Sequence, residues 1–530
     1  MKKNFISFAA GLVSVMVLAT SCSDFLEQPV LGQNADTPEY YDDLDNANMA
    51  IIACYNGLTY EDDLSTYQWI YGDVMSDDVW KGGGTATDAN DMQELKKWTA
   101  LSTNSYLTNT WTAWYRAIHR ANVAIEKLPS VTFDPDKRDQ FIAEAKFIRA
   151  FSYFTLVKLF GDIPYASKPV AVDEMGSLGR TPFDQVISHI ITDLKDAGKV
   201  LPESYSAEDL GRATRYAAKG LHARVVMYAI GMFKCMPESA WQDVYDLCDE
   251  IERSGYFRLL PNFGEVFEAE GENCAESLFE IQYATTNTGY NFENQGSCSG
   301  IYVANRGTTE NPEWGWGFNC PTQDLVDEFE ANDPRRECTV HGNGITPYLY
   351  GVFQEVDQTT DYLTGYHARK LAIEPSLRPS NQSDSPSNQR ILRYSDVLLM
   401  KAEAAYHLND EDTARDYVNK VRERARKSAY PKGYIAGTNI YSPTGFSDNL
   451  PDIEDTVTGE ALLDAIKHER RVELAMESLR YWDLVRWGDY AETLDVATRA
   501  NFERRQLRGV PVIPIPSEEV SGWGLEQNPM

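Results

Sequence analysis

Apolar positions recur at three- and four-residue spacing over long stretches of the chain, and the stretches come in pairs. Over 106–128, Trp111, Trp114, Tyr115, Ile118, Ala121 and Ile125 share one face; over 136–160, Phe141, Ala145, Ile148, Phe151 and Thr155 do the same. Both predict amphipathic helices, and Gly161-Asp162-Ile163-Pro164 ends the second. A second pair is predicted over 181–201, with Pro182 in its first turn, and over 213–233, where Ala217, Leu221, Val225 and Tyr228 form an Ala-rich stripe. A third pair is predicted over 390–407 and 412–427, followed by a helix over 460–487 with a break near Ser478. Helix pairs of about 34 residues per unit point to tetratricopeptide-like stacking. The expected fold class is therefore mainly α, helical pairs carrying a loop-rich, partly β elaboration.

The elaboration falls where periodicity fails. One insertion near 66–101 holds Trp69, Tyr71, Trp80 and Trp98 around Gly82-Gly83-Gly84; the other, near 256–389, is rich in Gly, Asn, Thr and Pro, with β-prone pieces at 278–283 and 348–353. Long irregular segments inside a compact protein are commonly functional, and the two insertions are expected to share one face and build a site.

The chain starts with a basic Met1-Lys2-Lys3, an apolar run over 5–19 and Thr20-Ser21-Cys22, the pattern of an export signal over 1–21. That run is shorter than the ~20 apolar residues needed to cross a bilayer. Cys22 after small residues resembles the lipobox of a bacterial lipoprotein, so lipidation is expected there, with two or more acyl chains giving stable anchoring. Residues 22–40 read as an extended leash and 41–530 as a single body.

Composition narrows the ligand. The 530 residues carry 49 Lys and Arg against 80 Asp and Glu, a net charge of −31, and no basic stripe offsets it, which disfavours nucleic acid. Aromatics are in excess, with 30 Tyr, 21 Phe and 11 Trp; an acidic, aromatic-rich surface suits a neutral, hydroxyl-rich ligand. Beyond Cys22, seven cysteines form no CxxC pair and no Cys/His cluster, which disfavours zinc and redox chemistry; one or two disulfides or buried thiols are both compatible with their spacing.

Motifs for chemistry are missing from the sequence. It contains no GxSxG, HExxH or GxxxxGK[ST], and Gly82-Gly83-Gly84 reads as a flexible turn. His119, His189, His222 and His468 lie in predicted helices, where packing explains them. Glu469, Arg470, Arg471 and Glu473 beside Arg480, Asp483 and Arg486 read as a partly buried ion-pair network rather than an acid/base constellation, as do Arg149, Arg393 and Glu403. No enzyme activity is expected, and no cofactor is required. Asp88, Asn90, Asp91 and Glu94 could hold a structural calcium through oxygen ligands.

Sugars offer C–H faces to aromatic rings and hydroxyls to planar polar groups, so a glycan site needs loop aromatics beside Asn, Asp, Gln or Arg. Trp111, Trp114 and Trp482 fall on apolar helix faces and read as core. The candidates are Trp80 with Asp77 and Asp78 in the first insertion, and Tyr290, Asn291 and Tyr302 in the second, with Trp314 beside them.

Six ordered segments carry a resemblance to a known family. They are Ala143-Glu144-Ala145-Lys146-Phe147-Ile148-Arg149-Ala150-Phe151 running to Pro164; Gly211-Arg212-Ala213-Thr214; Glu313-Trp314-Gly315-Trp316-Gly317 with Asp333-Pro334-Arg335-Arg336; Leu392-Arg393-Tyr394-Ser395-Asp396 running to Ala404; Glu469-Arg470-Arg471-Val472-Glu473 with Arg480-Tyr481-Trp482-Asp483-Leu484; and Ile513-Pro514-Ile515-Pro516. Together they resemble the SusD/RagB family of Bacteroidetes surface lipoproteins. The resemblance implies an outer-membrane, cell-surface lipoprotein that captures an oligo- or polysaccharide, less often a peptide, and passes it to a SusC-like TonB-dependent transporter. The stacked helices are the expected transporter contact. A peptide-binding member of the family and, from another class, a glycan-degrading surface enzyme are the alternatives.

Overall fold

The computed structural model describes residues 38–59, 68–171, 174–285, 296–307, 314–342, 344–355, 363–380, 384–445 and 449–530. The predicted pairs are present. Helix α1 (Leu44–Asn56) precedes α2 (Ser105–Lys127) and α3 (Pro135–Phe160), then α4 (Phe183–Val200) and α5 (Arg215–Gly231). Their ends follow local chemistry: Asn104 accepts from Tyr106 N, Asp134 from Asp136 N and Thr214 from Ala217 N, each satisfying a donor the first helical turn leaves open. Helix α3 stops at Gly161, whose φ of 69° suits glycine.

Helix α6 (Trp241–Arg253) is absent from the sequence expectation, although Trp241, Val244, Cys248 and Ile251 supply a buried stripe at helical spacing. It packs between α5 and α7 (Tyr394–His407), so the stack continues across the second insertion into α8 (Glu411–Lys427), α9 (Glu460–Leu474) and α10 (Arg480–Trp487). The predicted helix over 390–407 begins four residues late, because Gln389–Arg393 is a strand that pairs antiparallel with Ser277–Ile281. The break near Ser478 is real. Met476 and Ser478 both take left-handed backbone, φ 62° and 64°, between α9 and α10.

Two buried ion networks lock the second half of the stack. In one, Arg393 reaches Glu276, Glu473 and Glu477 at 2.8, 2.7 and 2.6 Å; Arg424 adds Glu276 and Glu473, and Arg335 adds Asp333, Glu469 and Glu473. In the other, Arg470 bridges Asp396 and Asp483 while Arg486 grips Glu403 through both carboxylate oxygens. The guanidiniums outweigh burial and hold Asp396 and Glu403 down to about 2. Arg393, Glu403, Glu469, Arg470, Glu473, Asp483 and Arg486 are among the residues read from the sequence as structural; Glu276, Asp333, Arg335, Asp396, Arg424 and Glu477 join them. None of the seven described cysteines is in a disulfide, and no helix among the described residues is long and apolar enough to cross a membrane.

Candidate functional site

The first insertion docks into the helix break. Asp73 is buried on a turn of π-helix (Ile70–Val74), its carboxylate accepting from Ser478 N at 2.9 Å. A Cβ on Gly72 would lie 2.0 Å from the Ser478 carbonyl oxygen, so only glycine permits this approach. Burial pushes the Asp73 carboxyl up to about 7. Trp69, Tyr71 and Trp98 are all core, with Trp98 Nε1 donating to the Tyr490 hydroxyl at 2.9 Å.

From this anchor the chain enters strand β1 (Val79–Gly82), which pairs antiparallel with β2 (Phe318–Pro321) of the second insertion: Val79 with Pro321, Trp80 with Cys320, Gly82 with Phe318. The two insertions therefore meet through backbone hydrogen bonds, on one face, as their composition suggested. The glycine turn continues the junction. Gly82 and Gly83 take φ of 76° and 89°, Gly83 N donates to the Gly317 carbonyl at 2.7 Å, and Gly84 N donates to Asp88 at 2.8 Å.

Trp80 is the one tryptophan among the large apolar side chains left exposed in the described residues, at 45%. Near the same junction, Arg306 faces Asp88 at 3.5 Å with 47% of its side chain exposed. Trp314 lies four residues before the Gly82 partner Phe318, and the Arg378 guanidinium sits 5.0 Å from its ring centroid, within cation–π range. Beneath these groups Tyr302 packs on Trp316 at 4.6 Å, Phe318 at 5.8 Å and Trp69 at 6.0 Å. An exposed ring, a half-buried second one, a guanidinium with a carboxylate, and a supporting aromatic layer are elements suited to a saccharide platform.

The other sequence candidates sit elsewhere. Asp78 is 1% exposed and held by Arg471 at 2.8 Å; Asp77 takes both arms of Arg480 at 2.9 Å. Both therefore clamp β1 to α9 and α10 instead of facing a ligand, because carboxylates beside arginines in a desolvated seam are committed to them. Tyr302 is supporting layer and not platform. Tyr290, Asn291 and Cys22 lie outside the described residues. The calcium set is also engaged locally: Asp91 accepts from Ser105 N at 2.8 Å, Glu94 from Asn90 and Asn104 at 3.1 Å each, and Asp88 as above. Among the described residues no three Asp, Glu, His or Cys side chains are disposed to share an ion.

Arg306 and Arg378 were missed. Neither adjoins an aromatic in sequence, and only the fold brings them to Asp88 and Trp314. A separate concavity of about 440 Å³ lies among Trp111, Tyr115, Tyr153 and Trp523, between α2, α3 and the C-terminal helix Ser517–Trp523; it shares no residue with the junction.

Two family models match, one described as the SusD family over residues 275–508 and one as "Starch-binding associating with outer membrane" over 39–227. Between them they take in the first insertion, the second from residue 275 on, and the helical stack apart from α6 and the end of α5. The chain belongs to the SusD-like family. SusD-like protein P25 of Formosa agariphila is 26% identical over 96% of this chain and 94% of its own length. Among solved structures, surface glycan-binding protein A from Bacteroides thetaiotaomicron in complex with laminarihexaose superposes with a TM-score of 0.73 at 26% identity, over 91% of this chain and 99% of that one. A laminarin-binding SusD-like protein gives 0.72 at 25% identity, over 92% and 99%. The SusD-like neighbours share the tetratricopeptide-like helical stack described above.

Proposed function

We propose that this SusD-like chain is a cell-surface glycan-binding lipoprotein, lipid-anchored through Cys22, that captures an oligo- or polysaccharide and delivers it to a SusC-like TonB-dependent transporter for import. One observation carries the reading: the strand pair joining the two insertions carries the exposed Trp80, the Arg306–Asp88 pair lies at the same junction, and Trp314, four residues before the paired strand, meets Arg378 from a third segment. Structural neighbours that bind laminarihexaose and laminarin support a glycan as the ligand. The family description places such proteins at the outer membrane, in keeping with the export signal.

The mechanism is capture. C–H faces of a sugar stack on Trp80 and Trp314, and Arg306, Asp88 and Arg378 supply planar partners for hydroxyls. Asp77 and Asp78 are held by Arg480 and Arg471, and the reading assigns this face binding rather than bond cleavage. Affinity-gel electrophoresis against laminarin, starch and other polysaccharides, with peptides as competitors and product analysis alongside, tests the reading. Retardation by one glycan class, without products and without peptide competition, is the expected result. Displacement by peptides, or release of shortened glycan, would overturn it.

A further inference from the structure

The third glycine of the Gly82-Gly83-Gly84 turn is glycine for a different reason from the first two. Gly82 and Gly83 take left-handed backbone, and a Cβ on them would come 2.1 Å from the Gly317 carbonyl oxygen and 2.5 Å from Cε1 of Phe318 respectively. Gly84 is outside the left-handed region. At such a position alanine is ordinarily the more stable choice, because it narrows the unfolded ensemble without straining the fold. What stands in its way is a single side chain: the three atoms nearest to a Cβ on Gly84 would be Nη1, Cζ and Nη2 of Arg306, at 2.4, 2.6 and 2.8 Å. The guanidinium occupies the space a side chain would take.

The same junction places the rest of Arg306. Its stem passes Gly317, where an added Cβ would come 3.2 Å from the Arg306 Cβ. Its Nη1 faces Asp88 Oδ2 at 3.5 Å, and that oxygen also accepts from Gly84 N at 2.8 Å. Glycine, arginine and carboxylate therefore form one seat, spanning the lead into β2 and the turn after β1. In it the Arg306 side chain stays 47% exposed and that of Asp88 37%, so both groups are oriented while still reachable from solvent.

We infer that Gly84 is a positioning residue of the glycan platform: the space it leaves presets Arg306 and Asp88 as a donor–acceptor pair for two hydroxyls of a neutral sugar unit. One hydroxyl accepts from the guanidinium and the other donates to the carboxylate. This rests on the proposed glycan binding and adds the polar half of the recognition that the rings do not supply. An arginine fixed beforehand loses less rotamer freedom on binding than a free one, and the adjoining carboxylate offsets the charge that would favour an anionic sugar.

The full chain in detergent is titrated by calorimetry with laminarin, starch and polygalacturonate, as wild type, Gly84→Ala, Arg306→Gln and the double variant. Gly522→Ala, on the C-terminal helix where a Cβ meets nothing within 4 Å, is the control. Gly84→Ala should weaken binding of the neutral polysaccharide about threefold, the scale of one side chain's ordering, with thermal unfolding unchanged or raised. The control should bind as wild type does. Because Gly84 acts through Arg306, the double variant should bind no more weakly than Arg306→Gln alone, and a crystal structure of Gly84→Ala should show the guanidinium displaced with Trp80 and Asp88 in place. Additive losses, or a guanidinium left where it was, would overturn the inference and leave the proposed function standing. Preference for polygalacturonate, weakening steeply with salt, would overturn the neutral-sugar assignment. Wild type that binds none of these polysaccharides would overturn the proposed function and this inference with it.

Discussion

Arg393 and Arg306 show two uses of the same side chain. Arg393, 2% exposed, is shared by three carboxylates where α7 meets α9, and its loss would strand charge in a dry interior. Arg306, nearly half exposed, has one carboxylate at 3.5 Å and remains in water at the insertion junction. The tryptophans divide likewise: Trp111, Trp114 and Trp482 are buried in the stack, while Trp80 projects from the strand that joins the insertions. Arg393 has every guanidinium nitrogen committed to the protein, whereas Arg306 keeps capacity for a partner. That contrast separates a fold-holding residue from a ligand-holding one more reliably than residue type does.

The contrast can be broken from either side. Glu473→Gln, at the meeting point of Arg335, Arg393 and Arg424, should destabilise by about 3–5 kcal/mol, because it leaves buried guanidiniums under-compensated; denaturant unfolding reads this. Trp80→Ala should leave unfolding within about 0.5 kcal/mol of wild type yet weaken glycan binding by about 2 kcal/mol, near thirtyfold, as removal of an exposed anchor does.

Asp73 sharpens the comparison through pH. Burial raises its folded value to about 7, so between its unfolded value and 7 the folded state binds more proton, and stability falls as pH rises through that window. Asp73→Asn keeps an acceptor for Ser478 N and removes the titration. Its stability advantage should grow from pH 4 to 7 and then level off, in unfolding curves taken across that range. Smallest is Arg306→Gln, expected to weaken glycan binding by under about 1 kcal/mol and to leave stability unchanged, since an exposed ion pair contributes little to it.

The scaffold was legible because its signals are local. Helical spacing, Gly161, Pro182 and the Thr214 cap all act within a turn or two of the chain, and the alternating charges around Glu469 and Arg480 identified an ion network before any contact was known. Helix α6 carried an equally clear stripe and could have been read. The site was legible only in outline. Loop aromatics without periodicity singled out Trp80, but the same composition offered Asp77 and Asp78, and only the packing of β1 against Arg471 and Arg480 shows that they face inward. Arg306 and Arg378 depend on strand pairing and loop closure between residues more than 60 apart in the chain, which no local pattern encodes.

The most direct test of the central claim, that the junction of the two insertions is the ligand face, is hydrogen–deuterium exchange with and without the glycan selected by affinity gel. Protection confined to 79–88, 302–307, 314–321 and the Arg378 segment is the predicted result. Protection at the Trp111, Tyr115 and Trp523 concavity with no change at the junction would contradict it.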